Sequence, residues 1–342
     1  MPIDAHATLH APFDPVRDHV LAAPLFQDCG AILSDGMVEL TFGVGQVRLS
    51  PGGKHHTALL VRAADTAGLQ VLRDFVTDTA RQSGLDPEWH ERHRRGRPAN
   101  LCLARVVSVE TLSPAFRRIT IEGPDLAALL GGGLHFRLLL GPGGSDWPQI
   151  DEAGVTQWPG GAAVWHRPVY TVRDIDGAGA VTRVGFDIFL HVGGRVSAWS
   201  ETLRVGDQIG LTGPSGGDVP AKTGWIGVFG DETALPAVAR ILAALPGDTV
   251  GQAVISVPSA ADIQALSRPA GVALRWCLRG DAEDLLDALA DLRPPATDRF
   301  VFFAASRTQA SRARHILGGM GLTRQEFWAQ AYWQDGDAPA EE

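Results

Sequence analysis

The pattern of apolar residues changes near Gly224, and this change restricts the fold more than any other feature of the 342-residue chain. After it, strands predicted at 225–229, 253–257, 272–278, 300–304 and 327–333 alternate with segments of helical spacing. Helices are predicted at 281–292 and 308–318, and another begins near Thr233, with Pro236 in its first turn. Repeated strand–helix units imply a parallel sheet covered on both faces, with ligands at the carboxyl ends of its strands. We therefore predict an α/β nucleotide-binding domain over residues 221–336.

The block before it, residues 101–220, has strand patterns with short connections rich in Gly and Pro. Six strands are predicted, at 101–109, 116–121, 135–140, 169–175, 181–191 and 208–212. Such a block is typical of an antiparallel six-stranded β-barrel. Residues 145–161 are predicted to form a long loop without secondary structure, of a kind that is often functional or mobile.

Residues 1–90 predict a small α+β domain. Alternation at 37–42 and 46–49 around Gly43-Val-Gly45 indicates a hairpin, 57–62 adds a strand, and Asp65 is placed to cap a helix. The basic segment 91–100 is interpreted as a linker, although its charge also suits an anion-attracting arm. Residues 337–342 are interpreted as an acidic tail.

Charge and cysteine usage exclude several classes of protein. The net charge of −9 argues against general nucleic-acid binding, which needs a basic face. Cys29, Cys102 and Cys277 are too far apart to form a disulfide framework, which favours a reducing compartment. Neither a signal peptide nor a membrane span is predicted, so we expect a soluble cytoplasmic protein. Histidine pairs such as His6 and His10 lack further ligands, so no metal site is predicted.

The first segment with the chemistry of a binding site is Arg167-Pro-Val-Tyr-Thr-Val-Arg173. A guanidinium can donate two parallel hydrogen bonds to a pyrophosphate, and a tyrosine ring can pack on a flat heterocycle. A hydroxyl beside the ring can donate to a ring nitrogen. An ordinary barrel strand with surface arginines fits the same residues equally well.

The second segment, Phe186-Asp-Ile-Phe-Leu-His191-Val-Gly-Gly194, leads from a strand into a helix that begins near Val196. Glycines allow backbone N–H groups to approach a phosphate, and the start of a helix favours anions. Ser197 could add a hydroxyl to these donors, or could simply cap the helix of a plain strand–turn–helix.

The third segment, Gly230-Asp-Glu-Thr-Ala-Leu-Pro236, follows the first strand of the α/β region. It has neither the GxGxxG fingerprint nor a P-loop. Its place at the first strand–helix turn still makes it the default nucleotide site.

Together these segments resemble the siderophore-interacting proteins, which are flavin-dependent ferric-siderophore reductases built on the ferredoxin-reductase plan. The matching residues are Tyr170-Thr-Val-Arg173, Asp187-Ile-Phe-Leu-His191 with Val196-Ser-Ala-Trp199, and Gly230-Asp-Glu-Thr-Ala-Leu-Pro236. Trp276-Cys-Leu-Arg279 and Tyr332-Trp333 are also similar to family features. The resemblance covers residues 99–336, whereas residues 1–90 resemble a small domain of unknown function that is found fused to such reductases.

The resemblance implies that Tyr170 packs against the isoalloxazine of FAD, that Thr171 bonds its N5 edge and that Arg173 pairs with its phosphates. Tyr170 and Thr171 are therefore the implied catalytic residues. The residues implied to bind FAD or a nicotinamide dinucleotide are Arg167, Tyr170, Thr171, Val172, Arg173, Asp187, Phe189, His191, Gly194, Val196, Ser197, Trp199, Gly230, Asp231, Glu232, Thr233, Ala234, Tyr332 and Trp333. Pro168 stands where the family has its first arginine, and Ala304-Ala-Ser306 replaces the usual Ala-Gly-Glu.

The implied function is FAD-dependent reduction of a ferric siderophore, with NAD(P)H or ferredoxin as electron donor. An anionic chelate needs a local basic patch in an acidic protein. Arg105, Arg117, Arg118 and Arg279 are the residues predicted to supply it. The alternatives are a general NAD(P)H:flavin or ferric-chelate reductase, a non-catalytic flavin- or siderophore-binding protein, and a scaffold without flavin.

Overall fold

A computed structural model describes residues 2–22, 32–34, 36–142, 146–177, 179, 181–218, 220 and 223–334. The predicted tail at 337–342 and Cys29 lie outside the described residues. The chain divides into two compact units. The first contains Met1–Cys102, Leu138–Pro168 and Gly210–Gly213, and the second contains Leu103–Arg137, Val169–Ile209 and Pro214–Glu342. The predicted domain limits at residues 90, 100, 220 and 336 stay predictions.

The described N-terminal residues form an antiparallel sheet with the strand order β2-β3-β4-β5-β1-β6 and two helices. The strands are β1 (Ile3–Leu9), β2 (Ile32–Ser34), β3 (Met37–Phe42), β4 (Gly45–Gly53), β5 (His56–Ala63) and β6 (Glu88–Trp89). The helices are α1 (Phe13–Ala22) and α2 (Thr66–Gln82). The predicted cap is confirmed, since the Asp65 carboxylate accepts a hydrogen bond from the Gly68 N–H at 2.7 Å. Alternate strand residues such as Val38 and Val61 are fully buried and pack in one core with Leu72 of α2.

The middle of the chain supplies a curled antiparallel sheet and one separate hairpin. The strands in this region are β7 (Leu101–Ser113), β8 (Phe116–Gly123), β9 (His135–Leu139), β10 (Gln149–Ile150), β11 (Thr156–Gln157), β12 (Val169–Thr171), β13 (Asp174–Asp176), β14 (Thr182–Phe189) and β15 (Gln208–Ser215). The curled sheet has the order β12-β9-β15-β7-β8-β14-β13, and β10 pairs with β11 alone. Helix α3 (Arg195–Thr202) follows β14.

The curled sheet has seven strands among the described residues, so the prediction of six is wrong. The predicted strand 169–175 is two strands, β12 and β13, which lie at opposite ends of the sheet order. Between them the backbone changes partner, because Val172 N–H donates to Leu134 O while Arg173 N–H donates to Gly185 O. One continuous segment therefore pairs with both edges of the sheet and closes it into a barrel-like form.

The prediction of a loop without secondary structure at 145–161 is also wrong, because β10 and β11 form a hairpin there. The Asp151 carboxylate accepts hydrogen bonds from the Ala153 and Val155 N–H groups and so fixes the turn. A side chain that bonds its own backbone leaves no mark on hydrophobic periodicity, which explains the error. The segment 91–100 is ordered against this hairpin, since Gly96 O accepts a bond from Ile150 N–H.

The C-terminal third is a parallel sheet, as predicted, and its strands have the order β18-β17-β16-β19-β20. Its strands are β16 (Trp225–Gly230), β17 (Val250–Val257), β18 (Val272–Leu278), β19 (Arg299–Ser306) and β20 (Phe327–Trp333). Helix α4 (Leu235–Ala244) packs on one face, and α5 (Leu285–Ala290) and α6 (Arg307–Gly319) pack on the other. Helix α5 begins later than predicted because Asp284 and Asp287 form a capping box there. Among the described residues, no helix is both long and apolar enough to cross a membrane.

Candidate functional site

A buried carboxylate between two guanidinium groups organises the first part of the site. Pairing of β14 with β8 sets Asp187 opposite Arg118, and the Asp187 side chain is completely buried. Arg118 holds it with two hydrogen bonds, Nε to Oδ1 at 2.7 Å and Nη2 to Oδ2 at 2.8 Å. These bonds raise the pKa of Arg118. Arg173 approaches from the other side, with its Nε 3.8 Å from Asp187 Oδ2.

Arg173 is the member of this cluster whose bonding is incomplete. Its side chain is 16% exposed, and its Nε is buried without a hydrogen-bond partner among the described residues. Burial lowers the pKa of Arg173, so its charge is held at a cost. Asp187 is thus shared by two guanidinium groups, and the charge of Asp174 also acts on both of them. A buried guanidinium N–H without a partner fits an anionic ligand such as a phosphate.

Thr171 lies on β12 directly opposite His135 on β9. The buried Thr171 Oγ1 is 3.2 Å from His135 Nδ1, and the other ring nitrogen, Nε2, is 3.2 Å from the Tyr332 hydroxyl. Burial, followed by the charge of Arg240, lowers the pKa of His135 to about 4. Burial also raises the pKa of Tyr332, so the phenol keeps its proton. A neutral imidazole therefore connects two of the predicted site hydroxyls.

The Tyr170 ring packs on aromatic residues of the curled sheet. Its centroid lies 5.7 Å from that of Phe186 and 6.4 Å from that of Phe136. Burial raises the pKa of Tyr170, so this phenol also stays protonated. The side chain is only half-buried, which leaves part of it open to a ligand.

The second predicted segment forms a tight turn before α3. Gly193 has a φ of +75°, which favours glycine, and Gly194 is the N-cap residue of α3 without a side-chain cap. The Ser197 hydroxyl accepts a hydrogen bond from His191 N–H at 3.1 Å. Its own hydrogen therefore stays available to donate. The uncapped start of α3 agrees with anion binding.

Hydrogen bonds within the third predicted segment, and one hydrogen bond from the last strand, fix its conformation. Asp231 Oδ1 accepts hydrogen bonds from the N–H and the hydroxyl of Thr233 and from Ala234 N–H, which closes the turn into α4. Asp231 Oδ2 accepts a bond from the Trp333 indole N–H at 2.6 Å. Burial raises the pKa of Asp231. The structure thus joins the Gly230 turn to the Tyr332-Trp333 pair.

Glu232 and Arg279 form an ion pair at the ends of β16 and β18. The Glu232 side chain is 8% exposed and that of Arg279 is 52% exposed. Burial and the neighbouring Asp231 raise the pKa of Glu232. Arg279 therefore presents a partly neutralised charge to solvent.

The structure places the other predicted residues as follows. Arg167 belongs to the first unit and lies over the Trp158 ring at 4.6 Å, whereas the residues described above belong to the second unit. Val172 is buried, and its backbone N–H and C=O are both used. Arg117 donates to the Ser200 hydroxyl, and Arg105 is exposed on β7. Val196 is buried, and Phe189 and Trp199 are half-buried.

Sequence inspection missed His135 and Arg240. Arg240 Nη1 lies within hydrogen-bond distance of three carbonyl oxygens, those of Gly133, Leu134 and Val172. Arg240 is the one charged residue in the otherwise apolar helix Leu235–Ala244, and this is a signal that could have found it. His135 stands at the head of a strand after a glycine run, which carries no comparable signal.

Comparison with known families gives two matches. The family model for the siderophore-interacting FAD-binding domain matches residues 105–218. The model for the siderophore-interacting protein matches residues 223–336. Together the two matches cover two thirds of the chain.

Individual proteins give consistent results. An uncharacterized protein of Mycobacterium tuberculosis is 37% identical over 118 residues, which are 34% of this chain and only 41% of that protein. The NADPH-dependent ferric-chelate reductase of Escherichia coli K12 is 26% identical over 236 residues, 67% of this chain and 91% of that protein. The crystal structure of a siderophore utilization protein from T. fusca superposes with a TM-score of 0.62 at 27% identity, covering 73% of this chain and 97% of that one.

Proposed function

Because the chain belongs to the siderophore-interacting protein family, we propose that it is an FAD-dependent reductase of ferric siderophores. Its curled antiparallel sheet followed by a parallel sheet is the ferredoxin-reductase-like arrangement of FAD- and nucleotide-binding domains. Residues 105–218 are its FAD-binding domain.

The observation that supports this function best is the unpartnered guanidinium of Arg173. A buried Nε without an acceptor costs free energy unless a ligand supplies one. A phosphate oxygen of FAD is such an acceptor. Arg118 takes both hydrogen bonds to Asp187 and thereby leaves the N–H of Arg173 for the phosphate.

When bound, FAD would supply the redox chemistry, which is hydride acceptance from a reduced nicotinamide and one-electron transfer to Fe(III). The protein residues bind the cofactor and orient it. Arg173 and the amides at the start of α3 hold phosphate, and the Thr171 hydroxyl addresses the polar edge of the ring system. Tyr332 and Trp333 exclude water, and their positions are fixed by bonds to His135 and Asp231. The siderophore oxygens are hard ligands that prefer Fe(III), so reduction loosens the iron without breaking the chelator.

We assign the donor to the nicotinamide dinucleotides, with the turn between β16 and α4 as the docking point. This turn lies at the carboxyl end of a central parallel strand, where such ligands bind. The Escherichia coli relative is named as NADPH-dependent, which supports the same donor. Reduced ferredoxin is the alternative donor. For the anionic chelate, the exposed Arg105 and Arg279 are the candidates, because Arg118 is occupied by Asp187.

Anaerobic stopped-flow absorbance tests the proposal. The purified protein should show flavin bands, which NADPH or NADH should bleach and a ferric siderophore should restore, with Fe(II) captured by a chromogenic chelator. R173A should bind FAD more weakly, whereas R183A, which removes an arginine that is 61% exposed on β14, should not. A protein that binds no FAD, or a bound flavin that no nicotinamide and no reduced ferredoxin bleaches, would contradict the function.

A further inference from the structure

His135 joins two hydroxyl groups that come from distant parts of the chain. Its Nδ1 lies 3.2 Å from Thr171 Oγ1, and its Nε2 lies 3.2 Å from the Tyr332 hydroxyl. Thr171 is its cross-strand neighbour, and Tyr332 comes from the last strand of the parallel sheet. Both hydroxyls belong to residues that the proposed function sets beside the flavin.

The ring is held in this bridging position. A Cβ atom on Gly216 would approach His135 Cδ2 to 2.5 Å, so the backbone there closes against the imidazole. The Tyr332 ring meets it edge to face, with 5.5 Å between centroids. Arg240 binds the backbone on both sides, through the carbonyls next to His135 and next to Thr171. The imidazole is thus fixed by contacts that do not depend on its own hydrogen bonds.

The imidazole stays neutral at this position. Its two hydrogen-bond partners are hydroxyls, which carry no charge to stabilise an imidazolium. Burial is the main cause that lowers the pKa of His135 to about 4, and the nearby guanidinium of Arg240 lowers it further.

A neutral imidazole has one N–H, and this fact couples the two hydroxyls. When Nδ1 bears the hydrogen, it donates to Thr171, Tyr332 donates to Nε2, and the Thr171 hydrogen is free to point at a ligand. When Nε2 bears the hydrogen, it donates to Tyr332, Thr171 donates to Nδ1, and the Thr171 oxygen can only accept from the ligand. The tautomer of His135 therefore decides whether Thr171 acts as donor or acceptor.

We propose that His135 is a positioning residue whose tautomer changes with the redox state of the bound flavin, so that Thr171 donates to the oxidised ring and accepts from the reduced one. This inference rests on the proposed function. Reduction turns N5 of a flavin from a hydrogen-bond acceptor into an N–H donor, so a hydroxyl with a fixed direction would suit only one state. In the exchange, the proton on one imidazole nitrogen leaves to solvent water and the other nitrogen takes up a proton from solvent water, so one N–H bond breaks and the other forms. His135, Thr171 and Tyr332 each keep one hydrogen throughout, so no charge is created.

Nitrogen-15 NMR of histidine-labelled holoprotein tests the proposal, because the two nitrogens of a neutral imidazole have distinct shifts according to which is protonated. The His135 signals are assigned by their loss in H135Q. We expect the N–H on Nδ1 in the oxidised protein and on Nε2 after anaerobic reduction with dithionite. A preference of about fivefold or more is expected in each state, the effect of one net hydrogen bond. The ring should remain neutral from pH 5 to 8.

Thr171 provides the matched controls. T171S keeps the hydroxyl and should keep the change of tautomer, whereas T171V keeps the shape and should show one tautomer in both redox states. A flavin midpoint potential measured on each variant gives a second readout, since a tenfold change in the relative affinity for reduced and oxidised FAD shifts it by about 30 mV.

The outcomes separate this inference from the proposed function. A wild-type holoprotein that reduces a ferric siderophore while His135 keeps one tautomer, or is doubly protonated at pH 7, refutes the tautomer exchange alone. A change of tautomer that persists in T171V refutes the role of Thr171. A purified protein that does not bind FAD refutes both the exchange and the proposed function.

Discussion

Arg173 and Arg118 face the same carboxylate, and replacing each with alanine should have opposite consequences. In R118A, Asp187 loses hydrogen bonds of 2.7 and 2.8 Å. The remaining guanidinium has its Nε at 3.8 Å, beyond hydrogen-bond distance. A completely buried carboxylate without its partner costs about 3–5 kcal/mol, so R118A should lower the free energy of unfolding of the apoprotein by that amount.

In R173A, both hydrogen bonds to Asp187 persist and the unpartnered Nε is removed. Losing the Coulomb attraction across 3.8 Å and removing an unsatisfied buried donor act in opposite directions. The apoprotein should therefore change in stability by less than about 1 kcal/mol. Affinity for FAD should fall roughly 10- to 150-fold, which corresponds to a charge-assisted hydrogen bond of about 1.5–3 kcal/mol. R173K, which keeps the charge without the planar fork, should be intermediate.

Urea denaturation of the apoproteins gives the stabilities, and titration of FAD fluorescence gives the dissociation constants. R183A is the control for removal of one positive charge from β14, since Arg183 pairs with Glu122 at the surface. The reasoning is refuted if R173A binds FAD as tightly as the wild type. It is also refuted if R173A unfolds as readily as R118A, because the two arginines would then share one structural role.

Three further changes probe the rest of the fold. Burial raises the pKa of Asp74 to about 6, above the unfolded value of 3.8, so folding favours the protonated acid. The wild type should therefore lose about 2 kcal/mol of stability between pH 4 and 7. D74N should lack this loss in urea melts at the two pH values. In thermal melts, G194A should destabilise the protein by about 1–3 kcal/mol, since the added Cβ would lie 2.7 Å from the His191 ring. G318A is the control, because a Cβ at that position would meet open space. W333F removes the indole N–H that donates to the buried Asp231 Oδ2 at 2.6 Å, so it should lower the free energy of unfolding by about 1–3 kcal/mol in the same melts. An unchanged melting curve would contradict this contact.

Local patterns in the sequence predict much of the fold. The helix predicted at 308–318 agrees with Arg307–Gly319, where the Ser306 hydroxyl caps the first turn by accepting from Gln309 N–H. The segment 169–175 is predicted as one strand because no turn signal interrupts it. The division into β12 and β13 depends on Leu134 and Gly185, which come from two different edges of the sheet, and periodicity within one segment cannot show it.

The sequence motifs of the candidate site were predictable, but the side-chain contacts that join them were not. Asp187 was expected to bind a cofactor, yet its carboxylate is completely buried against Arg118 and acts by holding charge beside Arg173. The contact between His135 and Tyr332 joins residues 197 positions apart. Contacts of that range depend on how the two sheets of the second unit pack, which no local signal encodes.

Binding of an anionic cofactor and binding of an anionic chelate place different electrostatic demands on this acidic protein. The net charge of −9 repels an anionic cofactor and an anionic chelate alike at long range. In the proposed function, the guanidinium of Arg173 attracts the FAD phosphate at short range, because it is 16% exposed and water screens it little. The exposed Arg105 acts in solvent, where charges more than about 8 Å apart are largely screened at physiological salt. Under the proposed function, tight retention of FAD and weak, salt-dependent attraction of the chelate can therefore coexist in one acidic protein.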